Sequence, residues 1–226
     1  MYWHEEDERK PTVSLDTVDV AFDLEGRTLP VDHAYALARA VADVLPWLAT
    51  EPHAGIHPIH VAESGNGWMR PEGSDDLLHL SRRTKLLLRL PQRRVDDAKA
   101  LCGQALEVSG HRLGVGHASV RPLQAIATLF SRYIVVDTHA DENDFLAQSA
   151  AGLRTLGIAP RKMLCGREAR LATPAGPLRV NSLMLAELKP DESLKLLLHG
   201  LGPRRELGCG IFIGHKDIAP VKQNLD

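Results

Sequence analysis

Aromatic residues are scarce in this 226-residue chain, at 4%. Wide base-stacking platforms, of the kind that hold long single strands, are therefore not expected. Cysteine is scarcer still. Cys102, Cys165 and Cys209 stand far apart with no CxxC spacing. That argues against a disulfide framework and a zinc knuckle, and leaves small core residues as their expected role. No apolar run approaches the roughly 18–20 residues that span a bilayer, so no membrane partner is expected. Residues 1–10 carry Glu5, Glu6, Asp7 and Glu8 and no apolar stretch, unlike a secretory signal, so a cytoplasmic protein is expected. Neither GxGxxG after a first strand nor GxxxxGK[ST] occurs, which removes the two common nucleotide-binding fingerprints. Net charge of one sign is also lacking: the formal total is −2.

That neutrality conceals blocks. Residues 1–80 sum to −10, whereas residues 81–121 and 154–216 each sum to +6. Two basic blocks in a neutral protein suit local contact with a polyanion, or a solvated mixed surface. The hydrophobic content of 44% and charged content of 25% are those of a globular chain, long enough for one large domain or two of about 100 residues.

The apolar spacing organises these residues into two similar series. Residues 17–24 (TVDVAFDL) alternate, with Val18, Val20 and Phe22 on one face of a half-buried strand. Asp32 is placed to cap a helix reaching about Leu48, with Pro46 disturbing its last turn. Residues 51–60 run from loop into strand. Residues 77–90 (LLHLSRRTKLLLRL) read as one long strand, with Leu78, Leu80, Leu86, Leu88 and Leu90 inward and Arg83, Lys85 and Arg89 outward. Arg82 falls on the inward side, at the edge. A helix over about 93–101 and strands near 105–108 and 111–120 complete a strand–helix–strand–strand–helix–strand order. A strand at 130–136, a helix at 142–156, a hairpin of 162–172 with 178–188, a helix at 190–199 and a strand at 210–213 repeat it. The expected class is α+β, with two tandem ferredoxin-like units. An acidic tail covers 1–13, the first unit 14–121, the second 129–216, and a tail 217–226. The units meet near 122–128.

The most unusual stretch is GLGPRRELGCG, residues 200–210. Gly200, Gly202, Gly208 and Gly210 with Arg204 and Arg205 would let backbone amides approach an anion, or would simply make a wide turn. His53, His57 and His60 raise the question of a metal. Two prolines in that segment and the lack of a completing Cys or carboxylate speak against one, so no metal and no cofactor are expected.

The stretch GLGPRRELGCGIFIGHK resembles the C-terminal glycine-rich loop of the CRISPR repeat-processing endoribonucleases, a branch of the repeat-associated RNA-binding superfamily. VDVAFDLEGRTLPVDHAYAL with the following GIHPI, LSRRTKLLLRLP, and RKMLCG resemble that family as well. The resemblance runs from about residue 18 to residue 216. The resemblance implies two ferredoxin-like domains and metal-independent cleavage of precursor CRISPR RNA within its repeats. It implies repeat and guide RNA as partners, together with other subunits of an effector complex. In such a cut a 2′-hydroxyl attacks the adjacent phosphate, leaving a 2′,3′-cyclic phosphate and a 5′-hydroxyl. Histidine suits its proton transfers because it titrates near neutrality.

The family places its histidine beside the start of the first helix or in the loop after it. His33 and His57 occupy those places here, with Tyr35 available to orient the phosphate. His33 could equally be a helix-end hydrogen-bonding residue, and His57 or Tyr35 simple packing. No Lys follows His57 until Lys85, a departure from relatives that pair the two. Arg82, Arg83, Lys85, Arg89, Arg161, Lys162, Arg204, Arg205, Lys216 and the four loop glycines are the expected RNA contacts. A non-catalytic RNA-binding scaffold and a small-molecule-binding tandem protein are the alternatives.

Overall fold

The computed structural model describes residues 16–61, 73, 76–137 and 139–215. The expected tails and Lys216 lie outside them. The strands are β1 Thr17–Glu25, β2 Thr28–Pro30, β3 Gly55–Ile56, β4 Leu77–His79, β5 Lys85–Pro91, β6 Ala105–Val108, β7 His111–Pro122, β8 Leu129–Val135, β9 Lys162–Leu171, β10 Leu178–Ala186 and β11 Ile213–Gly214. The helices are α1 Ala34–Val44, α2 Val95–Ala98, α3 Glu142–Thr155 and α4 Pro190–His199. No described helix is long and apolar enough to cross a membrane.

Two antiparallel sheets form. The first runs β3-β5-β1-β7-β6 and the second β11-β8-β10-β9. In the second, the first strand after the junction lies centrally between the fourth and third. That is the ferredoxin-like order, produced by β8–α3–β9 and β10–α4–β11 crossovers. The first sheet has the same order in β7-β1-β5-β3, extended by β6, which hairpins onto β7. A separate ribbon of β2 and β4 is inserted. The chain is therefore α+β with two tandem ferredoxin-like folds.

The alternation in β1 does what its spacing requires: Val18, Val20, Phe22 and Leu24 enter one core with Leu37 and Val41 of α1 and Leu86, Leu88 and Leu90 of β5. A second core gathers Leu129, Phe145, Leu153, Leu183, Leu185, Leu196 and Phe212. The first core does not stop at its own sheet. Tyr133, Leu171 and Val180 of the second sheet and Leu207 and Cys209 of the glycine stretch belong to it. Apolar burial thus joins the two halves.

Several local expectations change. Residues 77–90 are two strands, because Ser81–Thr84 closes a turn: Thr84 N–H donates to the Ser81 carbonyl at 2.9 Å and Ser81 N–H to Thr84 Oγ1 at 3.1 Å. Arg82 and Arg83 occupy that turn. Helix α1 stops at Val44, since Pro46 has no N–H to continue the ladder, and a 3-10 turn, Pro46–Ala49, follows. His33, not Asp32, is its N-cap. The Asp32 carboxylate instead accepts from the Ala172 amide at 2.7 Å, at the end of β9. The last strand is shorter and later than 210–213. Cys209 is buried as expected, but Cys102 is exposed and Cys165 half-buried.

Candidate active site

Three of the expected residues, His57, Arg89 and Arg205, meet at one seam, where β3, β5 and β1 of the first sheet meet the end of α4 and the glycine loop. Its centre is ionic. On β1 the polar face presents Asp19 and Asp23. Antiparallel pairing sets Asp19 opposite Arg89 and Asp23 opposite Lys85. Arg89 is 1% exposed. Its Nε and Nη2 donate to the two Asp19 carboxylate oxygens at 2.8 and 2.9 Å, a bidentate fork. Its Nη1 donates to the carbonyls of Leu197 (2.9 Å) and Phe212 (2.8 Å). The Leu197 carbonyl belongs to the last turn of α4, where unpaired acceptors and the helix dipole favour a cation. Arg89 is therefore not an outward phosphate contact: the second half of the chain covers it, and its donors satisfy buried acceptors. Lys85 is half-buried and ion-paired to Asp23.

His57 extends this cluster. It is 6% exposed, and its Nε2 lies 3.2 Å from Asp19 Oδ1. Burial lowers its proton affinity despite Asp19, with Arg89 and Arg205 adding to the depression. Desolvation pushes the Asp19 carboxyl upward, but His57 and Arg89 together hold it well below the usual carboxylate range. Among the described residues no hydrogen bond engages His57 Nδ1. His33 differs. It is 2% exposed; Nδ1 lies 2.8 Å from the Pro30 carbonyl, and Nε2 accepts from the Ile59 amide at 3.1 Å. That pattern assigns the neutral Nδ1–H tautomer and commits both nitrogens to joining the start of α1 to the segment after β3. Tyr35 is half-buried against the first core.

The glycine loop is a packed connector. Gly200, Gly202, Gly208 and Gly210 all have φ between 67° and 82°. A Cβ at Gly200 would strike the Arg205 guanidinium and the Gly210 carbonyl. One at Gly210 would strike the Leu201 carbonyl, and one at Gly208 would press on Pro58 at 2.6 Å. The amides of Gly200, Leu201, Leu207, Gly208, Cys209 and Gly210 donate to carbonyls of the protein. Those six are not offered to an anion, contrary to the cradle expected from the sequence. Only around Gly202 is the space open.

Arg205 is likewise turned inward. Its Nε donates to the Ala54 carbonyl (3.2 Å), Nη1 to His199 (2.8 Å) and Nη2 to His53 (2.8 Å). Burial, with Arg89 nearby, pulls its pKa down to about 10. It ties the glycine loop to the loop before β3. Arg204 is exposed beside Glu206, and Arg82 and Arg83 are exposed on their turn. Arg161 donates to the Glu187 carbonyl and to Glu192, and Lys162 pairs with Glu187, so both are exposed but engaged.

Two participants were missed in the sequence. Asp19 had a signal: Asp19/Asp23 and Lys85/Arg89 share one spacing on two strands that a ferredoxin-like order makes neighbours. His199 had none. It closes α4, and its ring packs edge-on against His53 with centroids 4.9 Å apart. Among the described residues no group of three or more His, Cys, Asp or Glu is placed to hold a metal ion.

Comparison with known proteins agrees with this architecture. The family model described as Cas6 Crispr matches residues 18–217. The CRISPR-associated endonuclease Cas6 of Myxococcus xanthus (strain DK1622) is 31% identical over 197 residues, which is 87% of this chain and 80% of that protein. A solved CRISPR associated protein Cas6 superposes with a TM-score of 0.61 at 12% identity, over 88% of this chain and all of the other. A structure from the characterisation of a Cas6-related gene from Pyrococcus furiosus gives 0.56 at 11% identity, over 87% and 98%. At those identities the two structures speak for the fold.

Proposed function

Because the chain belongs to the Cas6 family of CRISPR-associated endoribonucleases, we propose that it cuts precursor CRISPR RNA within each repeat by attack of a ribose 2′-hydroxyl on the adjacent phosphate. The products carry a 2′,3′-cyclic phosphate and a 5′-hydroxyl. The observation that carries this reading is the 31% identity to a Cas6 endonuclease across 87% of the chain. The cut needs proton transfer and charge stabilisation but no divalent ion, and the seam supplies imidazoles beside arginines.

The RNA is held by its backbone and shape, since few aromatic side chains exist to stack bases. Arg82 and Arg83 on their turn and Arg204 at the open part of the glycine loop are the cations best presented to phosphates. Arg161 and Lys162 contribute by exchanging their carboxylate partners for RNA. Arg89 and Arg205 act beneath them, fixing the seam. Of the two expected histidines, His33 has both ring nitrogens committed, whereas His57 keeps Nδ1 and is locked in orientation by Asp19. The protein works in the cytosol and stays bound to the processed guide within an effector complex.

The test uses purified protein, a hairpin repeat RNA and EDTA. Cleavage should proceed in EDTA, stop when the 2′-hydroxyl upstream of the cut is replaced by hydrogen, and leave a cyclic phosphate end. Cutting of the 2′-deoxy substrate, or tight binding with no cutting of any repeat, would refute this reading. The second result would leave a scaffold.

A further inference from the structure

We infer that the open face of the second sheet docks a protein partner. The partner presents an amphipathic α-helix, apolar on one side and flanked by carboxylates, which lies across the strands on Ile213, Phe130, Met184 and Leu164. This inference goes beyond RNA cleavage and does not rest on it.

The pairing register builds the surface. Ile213 of β11 stands opposite Phe130 of β8, Phe130 opposite Met184 of β10, and Met184 opposite Leu164 of β9. Residues directly opposite each other in antiparallel strands share a face, so the four side chains form one row across the whole sheet. Leu129, Leu183 and Leu185 alternate to the other face and are wholly buried in the second core. The row has no such cover. Among the described residues, none of the four belongs to either core or packs against one. Leu164 is 60% exposed and Ile213 43%, while Phe130 and Met184 are half-buried. A contiguous apolar row left open on a finished sheet marks an interaction surface.

The first half of the chain covers only part of this face. The extra residues of the two register shifts fall on β8 and β9, so β10 alternates without a break and Val180, Ser182 and Met184 share the face. Val180 joins the first core and Ser182 is buried, but the cover ends before Met184. That boundary selects the occupant. Four strands about 4.8 Å apart make the row roughly 14 Å long. A strand added at either sheet edge would reach only Leu164 or Ile213. A helix laid along the strands would run into the first half beyond Ser182. A helix laid across them reaches all four side chains, because at 1.5 Å per residue positions i, i+3, i+7 and i+10 span about 15 Å.

Charge selects the flanks of that helix. Two residues along β8, the Arg132 guanidinium carbon lies 5.8 Å from the centre of the Phe130 ring. On the other side of the row the His215 ring stands 6.1 Å from Phe130, and Lys162, paired with Glu187, lies two residues from Leu164. Carboxylates on the helix flanks meet these donors. A second copy of this chain fits less well, because a two-fold axis in the plane of the row brings Arg132 onto its own copy or onto Lys162. RNA fits less well too, since the row offers its bases one aromatic ring.

The experiment titrates the full-length protein into a fluorescein-labelled helical peptide of about 14 residues, with leucine at i, i+3, i+7 and i+10 and glutamate on both flanks, and reads anisotropy. A second peptide carries lysine in place of each glutamate. The wild type should bind the glutamate peptide with a Kd of about 10–100 μM and the lysine peptide about tenfold more weakly. Leu164→Asp with Ile213→Asp should weaken the glutamate peptide about tenfold or more, with the urea midpoint and the affinity for a hairpin repeat RNA unchanged. Arg132→Gln should narrow the gap between the two peptides. If the double substitution lowers the urea midpoint, Leu164→Ser alone, at the most exposed of the four positions, carries the comparison. Equal affinity for the two peptides, or substituted proteins that bind the glutamate peptide as the wild type does, overturns the inference. So does a wild-type dimer in sedimentation that the double substitution dissociates, which gives the row to a second copy. A loss of repeat RNA affinity in the folded double variant overturns it as well and gives the row to RNA. Whether the protein cuts that RNA bears only on the endoribonuclease reading.

Discussion

Replacing Arg89 by Met separates a seam residue from an RNA ligand. The side chain is 1% exposed and makes four hydrogen bonds, two to Asp19 and one each to the Leu197 and Phe212 carbonyls. Methionine fills most of the stem volume but donates nothing. The Asp19 carboxylate, with its side chain 14% exposed, then keeps only His57. Removing one partner of a buried ion pair costs about 3–5 kcal/mol, and the two stranded carbonyls place this case at the upper end. Against a typical stability of about 5–15 kcal/mol, the variant folds with a thin margin. In urea, with m about 2–3 kcal/mol/M, the midpoint should fall by roughly 2 M. Adding Asp19→Leu should recover part of the loss, because it removes the unpaired charge, while the carbonyls stay unsatisfied. A midpoint within 0.3 M of wild type, with RNA affinity reduced instead, would refute the argument and return Arg89 to the outward role that strand alternation suggested.

Further outcomes follow from the same geometry. Arg82→Ala with Arg83→Ala should leave the urea midpoint nearly unchanged and weaken RNA binding, reducing the log–log salt slope by about 1–2. Gly210→Ala, whose Cβ would meet the Leu201 carbonyl at φ 70°, should cost several kcal/mol in a melting assay. Gly202→Ala, at φ 80° but with nothing within 4 Å, should cost only about 1 kcal/mol. The pH dependence of stability has a defined sign at His57. Its proton affinity is lowered on folding, so below the ordinary 6.5 the unfolded chain binds a proton that the folded one excludes. Stability should therefore fall as pH drops through 6.5, by up to about 1.4 kcal/mol per pH unit, until the folded-state value is reached. His57→Phe should flatten that limb in denaturant titrations.

Much of the architecture was legible in the chain because it depends on local periodicity. Alternation in β1, the proline-opened α4, and the hairpin turns near 109–110 and 174–176 are decided by neighbours within a few residues. The element order then leaves the ferredoxin-like arrangement as the natural pairing. The glycines at 200–210 were also rightly conspicuous, but for a different reason. They permit tight backbone packing against Arg205 and Pro58 rather than six free amides.

Sequence by itself determined which residues of β1 alternate, that Pro190 opens α4 and that cations cluster in two blocks, since these are properties of short segments. Only the tertiary structure decided what each cation and histidine does. Alternation puts Arg83, Lys85 and Arg89 on one outward face, yet the turn at Ser81–Thr84 frees Arg83, Asp23 binds Lys85, and the end of α4 buries Arg89. The three histidines of residues 53–60 differ no less: His57 is buried against Asp19, whereas His53 is turned by a left-handed backbone toward His199, 146 residues away. Burial and hydrogen-bond commitment belong to pairs of distant residues, and no local pattern encodes which distant residue will arrive.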